Sequence, residues 1–152
     1  MEEAPVDLVD PRLPRFGQLI TASLLVAALL IQQPLLVYVT AAVLLVPVLT
    51  RWRLDLYGLT WRYLAVPLFG GPDRREPAAP HRFAKLLGAT ATTGASVLLV
   101  AASMFALQML ALAGFLLAAV IALLAAIAAI ANVCVGCRLY KQVGFFHRRG
   151  IV

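Results

Sequence analysis

Charge is what this sequence mostly lacks. From Gly17 to Thr50, and again from Leu86 to Cys137, no Asp, Glu, Lys or Arg occurs, leaving uncharged runs of 34 and 52 residues in a chain of 152. That excludes a water-soluble domain, whose surface needs ionised side chains at closer intervals. With 62% hydrophobic and 13% charged residues, the chain falls in the membrane class. Of its 7 acidic residues none lies inside either run, so no intramembrane carboxylate marks an ion or solute path and a transporter is disfavoured. Cysteine is scarcer still: two residues cannot form the disulfide framework of a small secreted scaffold. Two histidines leave a single-chain zinc site short of ligands unless both converge on the cysteines.

A helix needs about 20 residues to cross about 30 Å of hydrocarbon, so the longer run holds two crossings and the shorter run two short ones. Gln32, Gln33 and Pro34 interrupt the first run and predict helices over 16–32 and 34–50. Gln108 and Gly114 divide the second into helices over 85–107 and 113–134. All 13 Lys and Arg lie outside the runs: Arg12 and Arg15 before the first, Arg51, Arg53, Arg62, Arg74, Arg75, Arg82 and Lys85 between them, and Arg138, Lys141, Arg148 and Arg149 after the second. Neither hairpin tip carries one, so the Lys/Arg bias puts both termini and the middle segment in the cytoplasm. The net charge of +6 is what orientation and anionic headgroups account for, and no basic stripe interleaved with aromatics points to nucleic acid. Glu2, Glu3, Asp7 and Asp10 precede the first Arg, the opposite sign to a secretory leader, so helix one is expected to remain as an anchor.

The expectation is an all-α membrane protein with four transmembrane helices as two tandem hairpins and a short interfacial helix between them. In one membrane domain, 10–53 forms the first hairpin, 54–75 a cytoplasmic interfacial linker, 76–140 the second hairpin and 141–152 a basic cytoplasmic tail. The halves look duplicated. Asp10-Pro11-Arg12-Leu13-Pro14-Arg15-Phe16 leads into helix one and Glu76-Pro77-Ala78-Ala79-Pro80-His81-Arg82-Phe83 into helix three, one inserted residue reconciling the two. Between them, Trp52, Tyr57, Trp61, Tyr63 and Phe69 alternate with charge, as in a helix lying at headgroup depth. Ala118, Ala122, Ala125, Ala129 and Asn132 form a small-residue seam for close helix approach, with Gly88, Ala91 and Ala95 as a partial counterpart and Thr92, Thr93 and Ser96 able to hydrogen bond.

The two cysteines sit three apart, Cys134 and Cys137, where the second run meets the basic tail. A three-residue step puts both sulfurs on one helix face, close enough to bridge or to share a ligand. Three chemistries compete: disulfide exchange, metal binding, and sulfur relay through a persulfide. Against them stands a pair of inert small residues. A helix carboxyl end disfavours thiolate by about 0.3–1 kcal/mol, and Arg138 and Lys141 favour it by a comparable amount. Gly136 suits a helix end, placing Cys137 past the last turn, while Asn132 and Tyr140 flank the pair.

The duplicated Pro-x-x-Pro and Arg-Phe lead-ins, followed by Cys134, Val135, Gly136, Cys137, Arg138, Leu139 and Tyr140, resemble the bacterial family called domain of unknown function 4395, over nearly the whole chain. The resemblance implies a small integral membrane protein of the inner membrane, of unassigned activity, encoded in the company of thioredoxin-like and sulfurtransferase proteins. It thereby implies a soluble thiol partner of those classes and favours thiol or sulfur chemistry over zinc. Family members commonly carry an acidic or other polar residue where this chain has Arg138, and no catalytic residue carries across. A fainter likeness, to the vitamin K epoxide reductase family with its four helices and Cys-x-x-Cys, lacks the second cysteine pair here. The functional expectation is therefore a dithiol, Cys134 and Cys137, with Asn132, Gly136, Arg138 and Tyr140 shaping its surroundings. It exchanges electrons or sulfur with a soluble protein at the cytoplasmic boundary, needs no cofactor or resident metal, and sits in a lipid bilayer where the alanine seam also suits a homo-oligomer. Its rivals are a noncatalytic scaffold or accessory subunit and a metal-binding dithiol.

Overall fold

The computed structural model describes residues 8–70, 75–131, 137, 138, 140 and 142. Four helices form a bundle: α1 (Arg12–Leu30), α2 (Pro34–Leu49), and then, after the middle segment, α5 (Ala78–Phe105) and α6 (Gln108–Ala131). The middle segment is a helical run in three parts, α3 (Leu56–Thr60), a π-helical turn Trp61–Ala65, and α4 (Val66–Phe69). Two-residue strands, β1 (Leu8–Val9) and β2 (Glu76–Pro77), pair antiparallel with Val9 opposite Glu76 and Leu8 opposite Pro77.

Three helices, α1, α5 and α6, are long and apolar enough to cross a membrane. At about 1.5 Å per residue, the 28 residues of α5 span about 42 Å. Its uncharged part from Leu86 onward covers about 30 Å of that, the thickness of the hydrocarbon layer, and the turns before it carry His81, Arg82 and Lys85. The 16 residues of α2 cover only about 24 Å.

Both hairpin tips reverse the chain on a single left-handed residue, which makes the second tip shorter than the sequence suggests, two residues in place of five, and leaves three residues in the first. Gln32 (φ 52°) and Ala106 (φ 53°) hold that conformation, and the next amide bonds back five residues, Gln33 to the Ala28 carbonyl at 3.0 Å and Leu107 to the Ala102 carbonyl at 3.2 Å. Hence α6 starts at Gln108, five residues before the expected 113. The starts of α1 and α5 also lie ahead of the expected 16 and 85. Pro14 and Pro80 fall in the first helical turn, where a missing amide hydrogen leaves no intrahelical bond unmade, so the helices run through them. Just ahead of α1, the Asp10 carboxylate accepts the amide of its first residue, Arg12, at 2.8 Å.

α6 packs against both α1 and α5, and α2 packs against α5 and α1, so the helices ring the bundle in the order α1, α6, α5, α2. Exchanging α1 with α5 and α2 with α6 carries the α1–α6 contact onto the α5–α2 contact. Leu25, Ala28, Val37, Ala95, Leu99, Ala118, Ile121 and Ala122 make the main core, where the alanines of the seam let backbones close in. Thr92, Thr93 and Ser96 do not bridge helices: each hydroxyl donates to a carbonyl of its own helix. The outer faces of the bundle are aliphatic and exposed, among them Leu30, Val97, Met109 and Ile130.

One end of the bundle gathers the polar contacts. Tyr57 is hydrogen-bonded to Thr21 at 2.8 Å, the Trp61 indole donates to Asp10 at 3.1 Å, and Lys85 donates to both Asp55 oxygens at 2.7 Å. Together with the strand pair they tie the start of α1, the segment after α2 and the start of α5 to one level.

Candidate functional site

Cys137 lies at that same end. It is helical and half-buried, with its Sγ 3.7 Å from His81 Nδ1 on the first turn of α5. On the far side of the imidazole, His81 Nε2 is 3.5 Å from Glu76 Oε2. One turn beyond Cys137, the Tyr140 ring meets Phe83 with centroids 5.8 Å apart and planes at 51°. Cys137 and Tyr140 therefore both rest on the start of α5, the thiol over His81 and the phenol ring over Phe83.

Local sequence explains these positions. Pro80 fixes the α5 start so that His81 is half-buried, its side chain 21% exposed, while the Val9–Glu76 strand pair carries the Glu76 backbone alongside. The two halves differ here by the inserted residue. Pro14-Arg15-Phe16 is continuous, whereas His81 stands between Pro80 and the Arg82-Phe83 pair. Phe16 packs on Trp61, centroids 5.3 Å apart, much as Phe83 packs on Tyr140. Three residues before each outer aromatic stands Gly58 in one half and Cys137 in the other, so the thiol and its imidazole are both features of the second half alone.

Beside His81 a cavity of about 810 Å³ runs into the bundle, its walls including Gly88, Ala91, Gly94, Ala125 and Ala128. Its rim is polar. Lys85, paired with Asp55, lies 5.3 Å from the Tyr57 ring centroid, and the Arg82 guanidinium sits 5.5 Å over Trp52. Burial pushes the Tyr57 phenol above its ordinary pKa of 10.0; the Thr21 hydrogen bond pulls the other way and the Asp55 charge adds to the rise. The rim holds its own charges in pairs and rings, so its evident role is to lock α5 to the middle segment.

Of the residues expected at the site, Cys137, Arg138 and Tyr140 are described: the first faces His81, the second is exposed, the third stacks on Phe83. Cys137 and Arg138 are helical. Asn132, Cys134 and Gly136 lie outside the described residues, as does His147 of the zinc alternative. Among the described residues no group of three or more His, Cys, Asp or Glu converges as a metal site. Sequence reasoning missed the pairing of Cys137 with His81, 56 residues away; the single insertion in the second lead-in was its signal.

The arrangement places a thiol, an imidazole and a carboxylate in a row at the polar end of a membrane bundle, which is the set needed to hold and move one proton from sulfur. Against known families, the chain matches the model of a domain of unknown function, DUF4395, over residues 9–144. No curated protein and no solved structure matches it.

Proposed function

The chain belongs to the DUF4395 family, and on that footing we propose that it is a multi-pass inner-membrane protein that presents the Cys134 and Cys137 dithiol at the cytoplasmic boundary. There it exchanges disulfides, or relays sulfur, with a soluble thioredoxin-like or sulfurtransferase protein. The observation that carries this reading is the 3.7 Å approach of Cys137 Sγ to His81 Nδ1, since an inert packing cysteine needs no imidazole beside its sulfur.

Four crossings are part of the proposal. With α1, α5 and α6 each long enough to span, α2 completes an even count by joining α1 through a three-residue tip and returning to the end where Tyr57 meets Thr21. Its deficit of about 6 Å against a hydrocarbon layer of about 30 Å is within what local thinning accommodates. The basic residues cluster at the ends of the runs and not at the tips, which supports placing that end, and both termini, in the cytoplasm.

The rival reading is a noncatalytic scaffold, favoured by the buried alanines Ala118 and Ala122 that bring α6 close to its neighbours. Replacing both cysteines by serine separates the two in a deletion strain. The dithiol reading expects the doubly substituted protein to reach the membrane and fail to restore the phenotype; full restoration refutes it. Mass spectrometry of the thiols from native membranes then sorts exchange from relay, a persulfide on either cysteine marking relay and an intramolecular disulfide marking exchange.

A further inference from the structure

The dithiol reading leaves open which sulfur attacks and where its proton goes. We propose that Cys137 is the attacking thiol, that His81 is the base that takes its proton, and that Glu76 is the positioning residue that keeps His81 able to do so. This deepens the function proposed above and rests on it.

A neutral imidazole has one N–H and one bare nitrogen. With a carboxylate 3.5 Å from Nε2, the hydrogen belongs on Nε2, which leaves Nδ1 bare and facing Sγ at 3.7 Å. When the thiol proton moves to Nδ1, the imidazolium lies between two anions, the thiolate and the Glu76 carboxylate, and each stabilises it. This is nucleophile, base and orienter in one line, assembled from the segment after α6, the first turn of α5 and the strand β2. Other charges around His81 do not substitute for it. Asp55 and Lys85 on the cavity rim neutralise each other and Arg82 lies over Trp52; solvent screens both Arg138 next to the thiol and the Glu76 carboxylate, which is 55% exposed, so the half-buried imidazole is the larger influence and Glu76 the smaller.

In the exchange step the Cys137 thiolate attacks one sulfur of the partner protein's disulfide. The bond from Cys137 to that sulfur forms, the partner's own S–S bond breaks, and the departing partner thiolate takes the proton held on His81. When the second thiol of the motif attacks the mixed disulfide and gives its proton to the sulfur it displaces, two electrons have passed from the chain's dithiol to the partner's disulfide.

The test uses the full-length protein in detergent with Cys134→Ser, so that Cys137 is the sole thiol, and follows iodoacetamide alkylation from pH 5.5 to 9. The expected profile is nearly flat above pH 6.5. Adding His81→Gln is expected to slow the reaction at pH 7 about three- to tenfold: the thiolate fraction falls by up to about thirtyfold, and the greater nucleophilicity of the more basic thiolate returns part of the loss. The same substitution should restore a climb with pH up to the ordinary thiol range of about 8.5, and Glu76→Gln should move the profile the same way by a smaller factor. An unchanged profile in the His81→Gln protein overturns the proposal, as does faster alkylation at pH 7 of Cys134 in a Cys137→Ser protein. One measurement needs no change at His81: ultraviolet thiolate absorbance at pH 7, present with Cys134→Ser and gone when Cys137→Ser is added. Its absence from the Cys134→Ser protein also overturns the proposal. These outcomes are separable from those for the wider function, because a cysteine-free protein that restores a deletion strain sinks the exchange reading while leaving the effect of His81 on Cys137 intact.

Discussion

Gly114→Ala is expected to destabilise the bundle although alanine is the better helix former. Gly114 is buried on α6 where it crosses α5, and a Cβ there would stand 2.8 Å from Leu99 Cγ, 3.0 Å from Leu99 Cδ2 and 3.2 Å from the Ala95 carbonyl oxygen. Leu99 is 3% exposed within the main core, and the carbonyl is backbone, so neither yields without moving a helix. Alanine gains up to about 1 kcal/mol of helix propensity over glycine, whereas forcing a methyl into a packed contact costs about 1–3 kcal/mol. With the full propensity gain subtracted, the net loss should reach about 2 kcal/mol by these magnitudes. Gly94→Ala is the control on α5: its nearest neighbour would be Leu117 Cδ2 at 3.8 Å, an ordinary contact, so it should be neutral or stabilising. Unfolding by sodium dodecyl sulfate in mixed micelles, followed by circular dichroism, reads both. If Gly114→Ala proves as stable as Gly94→Ala, the close crossing of α5 and α6 at this point is wrong.

Asp55→Asn should cost about 1–2 kcal/mol in the same assay, discounted for partial exposure, because Lys85 loses a partner held at 2.7 Å by both oxygens; Asp55→Asn with Lys85→Met should recover part of it. Tyr57→Phe should cost about 1 kcal/mol at neutral pH by removing the hydrogen bond to Thr21. Because the folded state raises the Tyr57 pKa, its contribution is complete below pH 10.0 and is lost as pH rises through the higher folded value. Stability measured from pH 8 to 11 should therefore fall at the alkaline end in the wild type, and less steeply in Tyr57→Phe. Asp10→Ala should cost about 1–2 kcal/mol, since one side chain accepts both the Arg12 amide at the start of α1 and the Trp61 indole; an unchanged midpoint would show that neither contact matters.

The uncharged runs were enough to read four apolar helices, because a charge inside lipid is too costly to be placed by chance. Helix ends were harder, for two physical reasons. Pro14 and Pro80 look like breaks but fall in first turns, where proline is harmless, and Ala106 turns the chain in a left-handed conformation that few non-glycine residues adopt. The helical run after α2 was legible from its aromatic and basic mixture, but its π-helical turn was not. At the site, the cysteine spacing pointed to Cys137 directly. Its imidazole was hidden because His81 stands at the start of α5 and Cys137 beyond α6, brought together only by the packing of α6 on α5, which no local periodicity encodes.

Whether the Cys137 sulfur sits at the cytoplasmic end of the bundle is decided by vesicle sidedness. With Cys134→Ser, a membrane-impermeant maleimide applied to inverted inner-membrane vesicles should label Cys137, and the same reagent applied to right-side-out vesicles should label nothing until the bilayer is dissolved. Labelling of intact right-side-out vesicles would contradict the account, taking the cytoplasmic partner with it.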